Sequence, residues 1–421
     1  MSRLSSGAAA TEGRETLGTL VGSLKKVEKY VREEGYEGVD PYDALASPYV
    51  RSLPGILPKI AMTQLLVYSP INLRKAFKIA PGRNPKAIGL FLSSYCNMFR
   101  AGLMSREQLA SVSGELIGSL LSSRIGGYHG NCWGIYFDVQ EADTTIKPDL
   151  PSIVPTSFAA NGFLDLYEAI GEERHLDLAL SCCDFITRDL NIHESGEGIY
   201  FSYWPNDHKA IHNANMLGAA VLSRAYHHSG RSELLSLSTR AVDFTVGHQE
   251  TDGSWAYSID AETGRRRFQI DYHQGFVIDC LVDFLRFSGA DDLKYDAALR
   301  QGTIFYRERQ FDDLGRSMWR LPWRWPVDIH HQAQGIATFA KLWDRGPDYL
   351  PFAVRIADWT IASMQDRTGY FYHQKYPLGA NKNSYMRWSQ AWMLFSLSLL
   401  LRCMSDSGSI VPGGELRDDR T

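Results

Sequence analysis

This sequence predicts an all-α fold, an (α/α)6 toroid of helical hairpins with short β-hairpins at one mouth. Three observations predict it. Ser157, Asn215, Gln274, Gln332 and Gln390 recur at intervals of 58, 59, 58 and 58 positions, and each opens an apolar helical run. Between these runs lie second helical stretches reached by short turns such as Ser229-Gly230-Arg231 and the one at 288–292. Ahead of each polar residue stands a Gly-plus-aromatic segment: GNCWGIYF (130–137), GEGIYFSY (196–203), DGSWAYS (252–258), GRSMWRL (315–321) and TGYFYHQ (368–374). A fixed period with two helix-sized halves marks stacked helix pairs, and glycine turns flanked by aromatics suit short strand pairs. All these segments precede a first helix, so they gather at one end.

The elements follow in order. Residues 1–13 are rich in Ser, Gly and Ala and read as a disordered N-terminus. Leu17, Leu20, Val21, Leu24, Val27 and Val31 then fall at helical spacing, and Gly35 closes that helix. Residues 53–86 mix Ile60, Leu65, Leu66, Val67, Ile71, Leu73 and Phe77 with Lys59, Arg74, Lys75, Lys78, Arg83 and Lys86. Such a basic amphipathic stretch suits an anionic membrane surface or a phosphate; packing on the main domain with its charges solvated is the preferred alternative. Residues 14–86 are therefore taken as an N-terminal helix and basic segment packed on the toroid. The toroid proper runs over 87–405, and 406–421 read as a disordered tail. Helix pairs are expected at 87–101 with 106–124, 155–170 with 174–190, 212–228 with 232–248, 273–287 with 292–310, and 330–344 with 348–364. A last single helix covers 387–402, and the N-terminal helix can serve as its partner and close the ring.

Composition narrows the classes. A chain of 421 residues with 44% apolar and 12% aromatic content can bury a large core, and the repeat argues for one domain rather than several. The net charge of −4 gives no general attraction to nucleic acid. Six cysteines without C-x-x-C spacing argue against a zinc ribbon or a disulfide framework, and no metal or cofactor set is read. No secretory h-region and no run of eighteen apolar residues occurs, so the chain reads as cytoplasmic, with the basic segment allowing peripheral contact at the inner membrane face.

Polar corner, Gly-aromatic segment and long inner helix together resemble the six-hairpin glycosidase-type toroids and the related enzymes of uronic-acid chemistry. TGYFYHQKYPLGANKNSYMRWSQAWMLFSLSLLL (368–401) is similar to the strand, loop and inner helix of unsaturated glucuronyl hydrolases. PTSFAANGFLDLY (155–167) and HHQAQGIATFAKLW (330–343) resemble the helical domain of glucuronyl C5-epimerases. There a Tyr-Glu-Glu-Tyr-Pro strand carries catalytic side chains, while here Tyr372-His373-Gln374-Lys375-Tyr376-Pro377 keeps only the tyrosines and the proline. The layout, with its early V-D-P-Y-D-A-L segment, also resembles uncharacterised toroid proteins of bacterial polysaccharide-biosynthesis clusters. These resemblances imply an enzyme on a glycan or uronate-bearing oligosaccharide, free or lipid-linked, in exopolysaccharide or cell-surface glycan synthesis. A non-catalytic glycan-binding or scaffold protein is the alternative. Gln249-Glu250-Thr251-Asp252-Gly253-Ser254-Trp255 matches the Q-x-x-x-G-x-W repeat of terpene cyclases, but it occurs once and no D-x-D-D accompanies it.

Site candidates come from the inner-helix starts. His273, His330 and His331, from adjacent repeats, with Tyr272, Tyr385 and Arg387, suit proton abstraction next to a uronate carboxyl group: imidazole moves a proton near neutrality, and guanidinium holds a carboxylate. Asp271 and Asp328 occupy similar places in neighbouring repeats and are the carboxylates that hydrolysis would use, although helix capping, which needs no catalysis, is the commoner reason for an aspartate there. Asn213, Asn215, Gln274, Gln332 and Gln390, with Trp255, Trp388 and Tyr376, are the expected substrate-binding set. The fixed Gln and Asn positions can also tie inner helices to neighbouring hairpins, which leaves the varying positions for chemistry.

Overall fold

The computed structural model describes residues 2–140, 145–196, 198–260, 263–411 and 415–416, with side chains from residue 15 to 409 within those ranges. Its helices are α1 (Ser2–Glu33), α2 (Pro48–Arg51), α3 (Ile56–Tyr68), α4 (Pro85–Arg100), α5 (Arg106–Ser122), α6 (Ile153–Ile170), α7 (Glu173–Arg188), α8 (His212–Ser229), α9 (Ser232–Gly247), α10 (His273–Ser288), α11 (Leu293–Gln310), α12 (Ile329–Lys341), α13 (Tyr349–Met364) and α14 (Ala391–Asp406). A π-helical turn, Met386–Gln390, leads into α14.

The even-numbered helices from α4 to α14 form an inner ring. Each packs on the next, and α14 packs back on α4, so the ring is closed. Outer helices α5, α7, α9, α11 and α13 each follow their inner partner, and α1 packs on α14 and α13 as the sixth. Leu17, Leu20, Leu24, Val27 and Val31 are its buried stripe. The helix begins at Ser2, so it takes in residues 2–13, which composition alone had set apart; residue 1 lies outside the described residues, as do 412–414 and 417–421 of the expected tail. Inner helices α6, α8 and α10 end on left-handed glycines, Gly171, Gly230 and Gly289, which lets the chain reverse at once into the outer helix.

The strands are β1 (Val139–Gln140), β2 (Thr145–Ile146), β3 (Ile192–Ser195), β4 (Gly198–Phe201), β5 (Ala210–Ile211), β6 (Ser258–Ile259), β7 (Arg266–Arg267), β8 (Val327–Asp328), β9 (Gln374–Lys375), β10 (Ala380–Asn381), β11 (Ile410–Val411) and β12 (Glu415–Leu416). Among the described residues of these segments, only those of 196–203 lie in a hairpin of the expected kind, β3 with β4. In other repeats the hairpin shrinks to a turn, with single bridges at Phe311–Ser317 and Gln365–Phe371. The ladder amides supply the reason. Gln274 bonds both the N–H (2.9 Å) and the C=O (2.8 Å) of Trp255, and Gln390 does the same to Phe371 at 2.8 Å each, so these backbone groups are satisfied without a second strand. Instead, strands pair across repeats as β5-β6-β7 and β8-β9-β10, with Asp328 opposite Gln374.

Gly253, Gly315 and Gly369 turn with φ of +91°, +81° and +110°. A side chain on each would strike the backbone of an outer helix, at Gln301 of α11, Ile356 of α13 and Lys26 of α1 respectively. The third contact puts α1 in the slot that α11 and α13 fill in their own repeats.

Candidate active site

The N-terminal turns of the inner helices converge at one mouth, and a stack of three rings stands there. Tyr272 lies between His273, at 4.2 Å between centroids, and His330 of the next repeat, at 4.3 Å and nearly parallel. Trp388, carried by the π-helical turn, meets His330 edge-on at 4.5 Å, and Trp392 lies 4.7 Å from it. π-turns re-aim side chains within helices, often at functional sites.

The two imidazoles differ electrostatically. Asp271 Oδ1 accepts the His273 backbone N–H at 3.1 Å and contacts His273 Nδ1 at 2.6 Å, while Oδ2 accepts from Gln269 at 2.9 Å. Burial opposes the charge of Asp271, but the charge of His273 and these hydrogen bonds overcome it and hold the carboxyl below its usual range. An ionised Asp271 fixes the proton of His273 on Nδ1 and leaves Nε2 available to a ligand. His330 is 1% exposed and neither ring nitrogen has a hydrogen-bond partner. Burial, then the nearby charges of Lys86 and Arg387, push its pKa well down, so it is neutral at neutral pH.

Lys86 is the feature that the sequence analysis missed as a site residue. Asn84 caps α4 and Pro85 opens it, which sets Lys86 in the first turn of an inner helix. Its Nζ stands 4.6 Å from the ring of Phe158, 5.1 Å from Trp392 and 5.3 Å from Phe276. Burial, then the charge of Arg387, hold it well below the usual ammonium value. The Asn-Pro-Lys helix start was legible; that this first turn faces the axis depends on ring closure.

Other expected site residues are used differently. Arg387 forms a fork with Asp40, Nε to Oδ2 at 2.5 Å and Nη2 to Oδ1 at 2.7 Å, so its carboxylate is intramolecular. Tyr385 is fully buried, with the Arg74 guanidinium 4.7 Å above its ring, and sits beneath the 40–83 segment. His331 is turned into the wall: Nδ1 donates to the Met318 carbonyl at 2.8 Å and the ring stacks on Tyr306. Asp328 caps α12 through the His330 N–H and accepts from Trp388 Nε1 at 2.9 Å and Gln374 Nε2 at 3.1 Å. Burial pushes it up to about 6 despite those bonds. Tyr376 donates to Gln374 at 3.0 Å. Asn213 is buried with an unpartnered Oδ1.

Gln274, Gln332, Gln390 and Asn215 are removed from the expected substrate-binding set. Each is buried with its amide committed to a hairpin backbone: Gln332 accepts from the Ser317 N–H and donates to the Gly315 carbonyl and Thr360, and Asn215 accepts from the Phe201 N–H and donates to the Ala241 carbonyl. Trp255 is 1% exposed and its indole N–H goes to the Thr245 carbonyl, so it too is core.

The segment 36–83 covers one side of the mouth. Arg74 is inside, not on the basic face: it pairs with Asp43 at 2.9 Å and donates to the Asp40 and Pro41 carbonyls. Asp40 carries Arg387, and Tyr42 packs edge-on against Trp388 at 5.5 Å. At the far end of the ring a cavity of about 110 Å³ shares the three rings that cage Lys86. Arg224 pairs there with Asp165 and Glu168, and Lys341 with Asp283, while Asp279, pushed up to about 6 by burial, keeps one unpartnered carboxyl oxygen; the mouth, where imidazoles of adjacent repeats stack with a tyrosine, is the better candidate.

No family model matches the chain, and no curated protein matches it. Solved structures similar to it include a GH76 α-mannanase of Bacteroides thetaiotaomicron, at 13% identity and TM-score 0.61 over 75% of this chain and 85% of that one. A sugar epimerase from a ruminal bacterium gives 13% and 0.62 over 76% and 87%, and an unsaturated glucuronyl hydrolase specific for heparin gives 13% and 0.57 over 78% and 88%. At such identities the likeness establishes the (α/α)6 toroid and nothing finer.

Proposed function

We propose that the protein is a carbohydrate-active enzyme that moves a proton at a carbon next to the carbonyl or carboxyl group of a saccharide. The reaction is of epimerase or lyase type on a glycan or uronate-containing oligosaccharide, in exopolysaccharide or cell-surface glycan synthesis. The observation that carries this reading is the His273–Tyr272–His330 stack, two imidazoles of unlike electrostatics on adjacent inner-helix starts. Neutral His330, with no partner on either nitrogen, takes the proton. His273, whose ring Asp271 orients through Nδ1, presents Nε2 as the second proton-transfer atom. Lys86 and the aromatic rings around it meet the negative charge that develops on the oxygen of the reacting carbonyl or carboxyl. Solved toroids of similar shape carry the names of glycosidases and of epimerases, which supports a saccharide ligand without choosing the reaction.

Hydrolysis is the weaker alternative. It needs one carboxyl to reach the glycosidic oxygen and a second to face the sugar or a water. Asp271 and Asp328 are both buried with both oxygens engaged.

The test is solvent exchange. The protein is incubated in D2O with uronate oligosaccharides and with reducing disaccharides, and the proton signal at the carbon beside the carbonyl or carboxyl is followed by NMR. Exchange that falls at least about a hundredfold in His330→Ala and in His273→Ala, with circular dichroism unchanged, is the expected result. Saccharide binding without exchange over long incubation favours the glycan-binding scaffold, and new reducing ends without exchange favour hydrolysis.

A further inference from the structure

We propose that the rim of this mouth docks on an anionic bilayer surface. The proposal concerns where the mouth sits and does not depend on the reaction inside it. From Ala44 to Arg106 the chain contains no Asp and no Glu, although the whole protein carries a net charge of −4. Within that stretch Arg74 and Lys86 are turned inward, and Arg83 lies beside Glu37 and Glu115. Arg100 pairs with Glu168 and Arg106 donates to the Ile170 carbonyl at the far end of the ring, which leaves Arg51, Lys59, Lys75 and Lys78 toward the surface around α3.

Large apolar side chains stand exposed among them. Leu57 is 78% exposed, Ile71 68%, Leu65 51% and Tyr68 45%. Two turns continue the rim: Leu378, between β9 and β10, is 97% exposed, and Trp323 is 65% exposed. The β9–β10 turn is tied to the end of α3, because Asn381 donates to the Val67 and Ser69 carbonyls and Asn383 to Ser69. Trp323 pairs with Arg320, whose Nε lies 3.7 Å from Asp271 in the site itself. The exposed apolar groups thus border the opening.

A bilayer fits this pattern better than a protein partner. Leu57, Leu65 and Tyr68 share the exposed side of α3 and Ile71 follows its end, while Leu378 and Trp323 stand on separate turns; a short helix face with apolar tips and basic neighbours is the form of an interfacial contact. Lysines between the tips match anionic headgroups, and each basic group near such a surface adds measurably to binding. No helix among the described residues is long and apolar enough to cross a membrane, so the contact is interfacial. A mouth held this way takes its saccharide from the surface, as a lipid-linked one.

Co-sedimentation of the full chain with vesicles tests this. Binding to vesicles of phosphatidylcholine with phosphatidylglycerol, absent with phosphatidylcholine alone and reversed by high salt, is the expected result. Leu57→Asp with Ile71→Asp, and separately Lys75→Glu with Lys78→Glu, lower the partition coefficient about tenfold or more, with circular dichroism unchanged. Leu293→Asp, at an 84% exposed leucine opening α11 at the far end of the ring, leaves it unchanged. No partition at any phosphatidylglycerol content overturns the proposal. So does an equal loss in Leu293→Asp, or a stable dimer in solution that Leu57→Asp dissolves. Because the readout is sedimentation and not turnover, failure here leaves the proton-transfer reading standing.

Discussion

Replacing Asp40 by Ala tests how the 36–83 segment is held over the mouth. Asp40 is 1% exposed and receives both arms of the Arg387 fork at 2.5 and 2.7 Å, while the Arg387 side chain is 14% exposed. Removing one partner of a buried pair leaves an uncompensated charge, at a cost of about 3–5 kcal/mol. Loss of the Tyr42 N–H bond to Asp40 Oδ1, at 3.1 Å, adds about 1 kcal/mol. At 1.4 kcal/mol per tenfold, the fork alone corresponds to about 100- to 4000-fold in the opening equilibrium of the segment. Arg74 still binds the Asp43 carboxylate and the Asp40 and Pro41 carbonyls, so the segment loosens without leaving. Hydrogen–deuterium exchange is the assay: amides of residues 38–83 exchange faster, while those of α9, across the ring from α14, keep their rates. Arg387→Met in turn leaves the more deeply buried Asp40 carboxylate without its partner and costs about as much, about 3–5 kcal/mol. The double variant is then more stable than the sum of the singles by about 2 kcal/mol or more. A loss below about 1 kcal/mol for Asp40→Ala, additive singles, or a uniform rise in exchange would refute the clasp.

Two further perturbations address the ring itself. Gln332→Ala strips the Ser317 N–H, the Gly315 carbonyl and the Thr360 hydroxyl of a partner at once. At about 1–3 kcal/mol for a buried group left unsatisfied, a loss of roughly 3 kcal/mol is expected in urea denaturation; a change below about 1 kcal/mol would contradict the architectural role of the ladder. His212, His331 and His373 are held by burial at about 3, about 4 and about 3, against 6.5 in the unfolded chain. Between those values the unfolded chain binds more protons, so their contribution to stability is full above about pH 6.5 and is lost as pH falls through 4 toward 3. Asp43, Asp279 and Asp328, pushed up to about 6, act in the opposite sense between 3.8 and 6 and flatten the total. His212→Phe isolates one histidine: the slope of unfolding free energy between pH 6 and 4 falls by up to one proton, about 1.4 kcal/mol per pH unit, and an unchanged slope would show that His212 is not held neutral.

The fold was legible because its evidence is periodic. Five polar residues at near-constant intervals, with left-handed glycines where inner helices end, define the hairpins. Six inner runs with five partners leave one outer place open, and the N-terminal helix can fill it, as α1 does. Local hairpin structure was less legible. An amide that bonds both backbone groups of one hairpin residue replaces a strand pair, and nothing in a Gly-aromatic string distinguishes the two until the amide's partner is known.

The same periodicity that exposed the fold misdirected part of the site. A residue type that recurs around a ring is doing what every repeat needs, as Gln274, Gln332, Gln390 and Asn215 do in holding their hairpins, so recurrence argues against binding. Chemistry sits where the repeats differ. His273 and His330 fit that rule, since α6 and α14 offer Thr156 and Trp388 at comparable turns. Lys86 fits it better still: α4 is the repeat without a polar corner, and the segment before it covers the mouth instead of forming a Gly-aromatic turn. An amine in the first turn of that helix, ringed by Phe158, Phe276 and Trp392 from three other inner helices, is a contact no pair of neighbouring repeats could announce. It exists only because the ring closes, so finding it from sequence requires drawing the closed ring first and then asking which first-turn side chain points at the axis.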